Sequence, residues 1–257
     1  MEDKPLWISH RGYKENACEN TRAAFRAAVS LGFSCLETDL RASKDGQIVL
    51  VHDPMLARLA GDPRRVSDMT AAELAGIRLK PACHAAGAHA GVDFFDDRLM
   101  FFDAFAAEFS QCRWVLDIKP EGGRETILSL ASWAAAQGMV ETISQNAKLL
   151  TWHAGHEALA KKYFPRAAFY ARRLECWRAG LAVLLGRPGL GAIQPGKTYA
   201  LPPSVMGLSL FQPHIVQRFH KRGASVVAFL PPTDEQAEQA VAAGFDEILT
   251  NGARLRR

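Results

Sequence analysis

Arg113-Trp114-Val115-Leu116-Asp117-Ile118, followed after a short turn by a helical stretch from Arg124 to Gln137, sets the architecture. Trp114, Val115, Leu116 and Ile118 form a near-continuous apolar run, the mark of a strand covered on both faces. A covered strand feeding a helix is the repeating unit of a parallel sheet. The unit recurs on both sides. Towards the N-terminus, Leu6 to Ser9 reads as a short buried strand ending at His10, and Asn20 to Leu31 as a helix with Phe25 and Val29 on one face, closed by Gly32. Cys35 to Leu40 is a second strand, and the turn Lys44-Asp45-Gly46 folds it back onto Gln47 to Val51 as a hairpin. A helix over Phe101 to Phe109 leads into the strand quoted first.

Towards the C-terminus the pattern predicts strands at Val140 to Ser144, Ala167 to Ala171, Val205 to Leu210, Ser225 to Phe229 and Glu247 to Leu249. Helices are expected at Leu149 to Tyr163, Cys176 to Leu185, His214 to Arg222 and Asp234 to Ala243. With the hairpin left aside, the parallel strands number about eight. The expected fold is therefore α/β, a (β/α)8 TIM barrel, with an open doubly wound sheet as the alternative. Residues 1–257 read as one domain without a linker or repeat, and about 54–98 as an insertion over the site, with a short helix at Thr70 to Ile77.

Apolar residues make up 48% and charged residues 23% of the chain, an ordinary globular balance, and no apolar run is long enough to span a bilayer. The polar start Met1-Glu2-Asp3-Lys4-Pro5 lacks the apolar core of a secretory signal, so a cytoplasmic location is expected. Five widely spaced cysteines, Cys18, Cys35, Cys83, Cys112 and Cys176, lack zinc or redox spacing and read as reduced packing residues. A net charge of +4, with basic residues scattered apart from Arg172-Arg173 and Arg254, Arg256 and Arg257, suits a small anionic substrate and argues against nucleic acid.

The chemistry lies on strand ends. Side chains alternate along a strand, so Glu37 and Asp39 share one face while Leu36, Thr38 and Leu40 share the other; Asp117 and Lys119 are paired in the same way. In a parallel barrel the C-terminal strand ends form the mouth of the site, where His10, Arg11 and His52 also fall. Three converging carboxylates, Glu37, Asp39 and Asp117, would repel one another unless a cation or protons intervened, and all-oxygen ligands select a hard ion, Mg²⁺ or Ca²⁺. Such an ion would neutralise a phosphoryl group while one histidine removes a proton and the other protonates the leaving alkoxide; Arg11 and Lys119 would hold the non-bridging oxygens. A lone histidine at a strand end is commonly structural. Here several ionisable groups stand on buried strands together, which is costly without a purpose.

His10-Arg11-Gly12, Glu19-Asn20-Thr21, Glu37-x-Asp39, Asp45-Gly46 and His52-Asp53, in this order and spacing, closely resemble the glycerophosphodiester phosphodiesterase family, and Asp117-Ile118-Lys119 and Gly244 to Asn251 are similar to its later segments. The resemblance implies a TIM barrel that hydrolyses glycerophosphodiesters to glycerol 3-phosphate and an alcohol with a divalent metal. It implies His10 and His52 as the acid/base pair, Glu37, Asp39 and Asp117 as metal ligands, and Arg11 and Lys119 as phosphate contacts. Glu19 would contribute to the site or brace the loop after the first strand. Cys18 stands where the family usually has proline, which should loosen that loop. Asp117 replaces the typical glutamate and would reach the metal through water or draw it towards its strand. Ala228-Phe229-Leu230 and Leu99-Met100-Phe101-Phe102 also depart from the family, at the pocket wall. The alcohol moiety and the nucleophile, water or a substrate hydroxyl, are left open. Alternatives are the same chemistry on a lysophospholipid or sugar phosphodiester, or a barrel that binds phosphorylated ligands without turnover.

Other signals carry less. Gly191-Ala-Ile-Gln-Pro-Gly196-Lys197-Thr198 matches a phosphate-binding loop, but Tyr199-Ala-Leu-Pro202-Pro203 cannot continue as the helix such a loop requires, which leaves at most a substrate-side loop with Lys197 near the mouth. His84 and His89, and the pair His153 and His156, lack a third ligand and read as surface residues. Phe94-Phe95 and Phe101-Phe102 read as packing under the insertion, with an apolar entrance for a lipid-like group as the alternative.

Overall fold

The computed structural model describes residues 5–15, 17–80 and 98–252, which fall into two compact units, residues 9–167 with 251–252 and residues 5–8 with 168–250. Strands alternate with helices along the chain in the order of a (β/α)8 TIM barrel, the architecture expected from sequence. His84, His89, Phe94 and Phe95 lie outside the described residues.

In the first unit the regular elements are β1 (Leu6–His10), which enters it at Ser9, α1 (Arg22–Ser30), β2 (Cys35–Ala42), β3 (Ile48–Leu50), α2 (Ala57–Ala60), α3 (Ala71–Gly76), α4 (Phe102–Glu108), β4 (Arg113–Ile118), α5 (Gly123–Ala136), α6 (Val140–Asn146), β5 (Ala147–Leu150) and α7 (Ala154–Tyr163). β5, β4 and β2 run parallel, and β3 returns antiparallel on β2 as the hairpin. The register sets Asp39 directly beside Asp117. β2 is buried along nearly its whole length, although Glu37, Thr38, Asp39 and Arg41 interrupt its apolar residues. Outside it, Phe102 of α4 packs edge-on against Trp133 and Phe105 against Phe25, each at 4.9 Å between ring centres, so Phe102 belongs to the core. The described part of the insertion has its own apolar cluster, in which Leu56, Leu59, Val66 and Leu74 surround a fully buried Cys18. Cys18 therefore packs into this cluster. α3 begins with a reciprocal cap between Thr70 and Glu73.

The second unit contains β6 (Ala168–Tyr170), α8 (Arg173–Leu184), β7 (Lys197–Leu201), β8 (Ser204–Val205), β9 (Leu208–Ser209), α9 (Pro213–His220), β10 (Ser225–Phe229), α10 (Asp234–Ala243) and β11 (Glu247–Thr250). β6, β7, β10 and β11 are parallel neighbours in that order.

Four expectations are corrected. Val140 to Ser144 is helical: Ile143 and Ser144 are the residues α6 buries, and the strand is the alternating Ala147–Leu150 that follows. The helix expected from Leu149 therefore starts only at Ala154. The strand expected over Val205 to Leu210 is a two-stranded hairpin turning on Met206 and Gly207, both at positive φ, while the sheet strand is Lys197–Leu201, ended by Pro202. Lys197 is thus the first residue of a strand, bonded to Glu175 at 3.0 Å, and not part of a substrate-side loop.

The turn after β1 is tight. Arg11 and Gly12 have φ of 61° and 79°, the Tyr13 amide donates to the Ala24 carbonyl, and a Cβ on Gly12 would lie 2.6 Å from the Ala24 carbonyl carbon. Gly12→Ala is expected to lower stability by roughly 2–3 kcal/mol, because both the left-handed backbone and the contact oppose it. Urea unfolding checks this, and a midpoint equal to the parent's would contradict it.

Candidate active site

β2 and β4 bring three carboxylates together. Glu37 and Asp39 face the same way from β2, Asp117 stands level with Asp39 on β4, and one oxygen from each lies within 4.8 Å of the others. All three are nearly or fully buried. Among the described residues this is the group whose oxygens are close enough to share an ion.

Two cations thread the cluster. Lys119 Nζ lies 2.7 Å from Asp39 Oδ1 and 2.5 Å from Asp117 Oδ2, and Arg11 Nε lies 2.9 Å from Asp39 Oδ2. Asn20, at the end of the loop into α1 and just before its cap Thr21, donates to Asp39 Oδ2 at 2.7 Å. Burial works against charge on Asp39, but Lys119 and Arg11 outweigh it and hold the carboxyl below its usual range. Glu37 behaves oppositely: burial, reinforced by Asp39 and Asp117, pushes its carboxyl well above the ordinary range. Burial also raises Asp117, against the pull of Lys119. Two oxygen donors, Glu37 and Asp117, whose ionisation burial and the neighbouring carboxylates resist, beside the ionised Asp39, fit a hard divalent cation, which would supply the missing positive charge.

The histidines stand at two different kinds of site. His10 Nδ1 is 2.6 Å from Asn251 Oδ1, which also accepts from Lys14 Nζ; the ring's other nitrogen, Nε2, is 3.9 Å from Glu37. With Nδ1–H donated to Asn251, Nε2 carries the free lone pair on the carboxylate side. Burial, with Arg11 and Lys14 adding, lowers the His10 pKa to about 3. His52 is more exposed, and its Nδ1 is 2.7 Å from the Asp53 carboxylate, itself held by Arg58 Nε at 2.6 Å. Arg41 clamps the His52 carbonyl through Nε and Nη2. Glu19 bonds Arg58 Nη2 at 2.5 Å and Arg11 Nη1 at 3.4 Å, bracing the loop after β1.

The structure therefore brings Glu37, Asp39, Asp117, Arg11, Lys119 and His10 into one cluster, and fixes His52 through Asp53 and Arg58. Asn251, Lys14, Arg41, Arg58 and Trp152 were given no role from sequence. Trp152 Nε1 donates to Asp117 Oδ1 at 2.8 Å, fixing the short side chain from the far side. A signal existed for two of them: Asn251 and Trp152 lie just after β11 and β5, where a parallel barrel gathers its site. His153 and His156 stack edge to face at 5.2 Å.

The His10 shift has a consequence for stability. An unfolded histidine takes its proton near 6.5 and the folded one only near 3, so the unfolded chain binds the extra proton between these values. The contribution is full above pH 6.5 and lost as pH falls towards 3. His10→Gln is expected to flatten that part of the stability–pH curve, measured by urea unfolding; an unchanged slope would remove His10 as its source.

No helix among the described residues is long and apolar enough to cross a membrane. A family model described as the glycerophosphoryl diester phosphodiesterase family matches residues 10–254. Among curated proteins, a glycerophosphodiester phosphodiesterase of Caldanaerobacter subterraneus is 40% identical over 79 residues, 29% of this chain and 32% of that protein. A lysophospholipase D of Rattus norvegicus is 27% identical over 224 residues, 83% of this chain and 66% of that one. The chain thus spans less than two thirds of these relatives' own lengths. Among solved structures, the glycerophosphoryl diester phosphodiesterase domain of a Mycobacterium tuberculosis protein superposes with TM-score 0.79 at 19% identity, covering 98% of this chain and 97% of that one. An Oleispira antarctica phosphodiesterase in complex with the product sn-glycerol-3-phosphate superposes with TM-score 0.70 at 21% identity, covering 96% and 93%. With the family model matching almost from end to end, the chain belongs to the glycerophosphoryl diester phosphodiesterase family.

Proposed function

We propose that this protein is a divalent-metal-dependent phosphodiesterase that hydrolyses glycerophosphodiesters to glycerol 3-phosphate and an alcohol. The observation that carries the reading is the buried trio Glu37, Asp39 and Asp117, with Arg11 and Lys119 among its oxygens. Glu37, Asp39 and Asp117 would hold Mg²⁺ or Ca²⁺. When bound, the ion supplies Lewis-acid stabilisation of charge on the phosphoryl oxygens.

The remaining work falls to the chain's own side chains. Arg11 and Lys119 bind non-bridging oxygens of the diester, exchanging part of their pairing with Asp39 and Asp117 for the phosphate. His10, kept neutral with Nε2 as its acceptor, takes the proton from the attacking hydroxyl, whether of water or of the substrate. His52, whose Nδ1–H is held by Asp53, delivers a proton from Nε2 to the departing alkoxide. Trp152 and Asn20 keep Asp117 and Asp39 in place. A lysophospholipid is the second substrate considered, because a matched relative is named a lysophospholipase D.

The test is turnover of glycerophosphocholine, glycerophosphoethanolamine and lysophosphatidylcholine, with release of the phosphomonoester and the alcohol followed directly. Release of choline and glycerol 3-phosphate is expected, abolished by EDTA and restored by Mg²⁺ or Ca²⁺. Turnover that survives both EDTA and His10→Ala would sink the mechanism. No turnover of any diester despite tight metal binding would leave a phosphate-binding protein instead.

A further inference from the structure

α8 is apolar on the side that packs and apolar again on the side that faces solvent. Its inner face buries Ala179 and Val183 against Tyr199, Ile215 and Phe219. Its outer face presents Leu174, Trp177 and Leu181, exposed by 82%, 55% and 54%, and the row continues past the helix end through Leu185 at 68% and Leu190 at 65%. Spacings of three and four residues put the helical members on one stripe. A helix that merely borders water carries polar residues there, as α10 does with Glu235, Glu238 and Gln239.

Along residues 173–190 the exposed charge has one sign. Arg173, Arg178 and Arg187 are exposed beside it, and Arg178 Nε also ties down the turn carrying Leu190 by donating to its carbonyl at 3.1 Å. Glu175, the one acidic residue between Arg173 and Leu190, is drawn away to Lys197 at 3.0 Å and Arg172 at 2.8 Å. A second copy of the chain meeting this face by a two-fold axis would set arginine against arginine. Anionic headgroups supply the opposite charge, and the boundary with the acyl chains accepts leucine and tryptophan while the arginine stems reach back to the headgroups.

We propose that the Leu174–Trp177–Leu181 face of α8, with its arginine rim, docks this protein on the surface of an anionic lipid bilayer. The inference is independent of which diester the site cleaves. The purified full chain is to be co-sedimented with vesicles of phosphatidylglycerol and phosphatidylcholine, and with vesicles of phosphatidylcholine alone. Binding to the anionic vesicles is expected, weakened by salt, and lowered at least roughly tenfold in Trp177→Ser/Leu181→Gln. These side chains are exposed, so the variant should unfold at the parent's urea midpoint; if it does not, Arg173→Glu/Arg187→Glu, which leaves the apolar row intact, should lose the preference for anionic vesicles by a similar factor. Wild-type protein that ignores anionic vesicles at low salt overturns the proposal, as does undiminished binding by the variants. A concentration-dependent dimer abolished by Trp177→Ser/Leu181→Gln would also overturn it, by assigning the face to a second copy.

Discussion

His52→Ala should lower kcat on glycerophosphocholine by about 10²–10⁴-fold and leave divalent-ion binding unchanged. The size follows from removing a positioned general acid, and the sparing of the metal from the separation of roles: the oxygens that would bind the ion belong to Glu37, Asp39 and Asp117, whereas the polar partner of His52 is Asp53, held by Arg58. A leaving group decides the direction of proton transfer. Choline needs a proton as it departs, but a p-nitrophenolate does not, so His52→Ala should keep most of its activity on the p-nitrophenyl diester of glycerol phosphate. His10→Ala should be slow on both, because its Nε2 serves the attacking side. Equal losses by His52→Ala on the two substrates would reverse or abolish the assignment. Asp53→Asn, which keeps the shape but weakens the hold on the His52 ring, should fall between wild type and His52→Ala in kcat with KM little changed.

Asp39→Asn should be the most damaging single change to stability in the site. Asp39 has no exposed surface, and its two oxygens receive Lys119, Arg11 and Asn20 at 2.7, 2.9 and 2.7 Å. Removing one partner of a buried ion pair leaves the other charge uncompensated, at a cost of about 3–5 kcal/mol. For a chain of this size that is a fall in Tm of roughly 6–20 °C. Divalent ions should not restore it, because the strongest carboxylate of the trio is gone. Asp117→Asn should cost less, since burial already resists its ionisation while Lys119 keeps its contact with Asp39. Calorimetry with and without Mg²⁺ or Ca²⁺ measures both. Asp39→Asn that melts with the parent, or recovers with metal, would show that the charge on Asp39 is not what holds the cluster together.

Much of this site was legible along the chain because each strand carries its own rule. Alternation places Glu37 and Asp39 on one face, and Leu36 and Leu40 on the other face mark the strand as covered. Where that rule was ambiguous the reading slipped. Val140-Glu-Thr-Ile-Ser-Gln-Asn has apolar residues three apart, and a short segment of that kind fits strand or helix until its partners are known. The strand Lys197–Leu201 is masked by the loop-like Gly191–Thr198 pattern, whereas Val205 to Leu210 looks strand-like until Met206 and Gly207 turn it into a hairpin. The burial of Cys18 among Leu56, Leu59, Val66 and Leu74 is a contact between distant segments, which no local pattern indicates.

What the sequence determined by itself was the order of elements and the inventory of the site, since periodicity and residue chemistry are properties of neighbours in the chain. What only the tertiary structure decided was which groups face one another. The register that levels Asp117 with Asp39 comes from hydrogen bonding between strands separated by more than seventy residues, and so does the placement of Lys119 between two carboxylates. The same is true of the two histidines. As residues they are identical; burial with Arg11, Lys14 and Asn251 around His10, and Asp53 with Arg58 beside the more exposed His52, give them different surroundings.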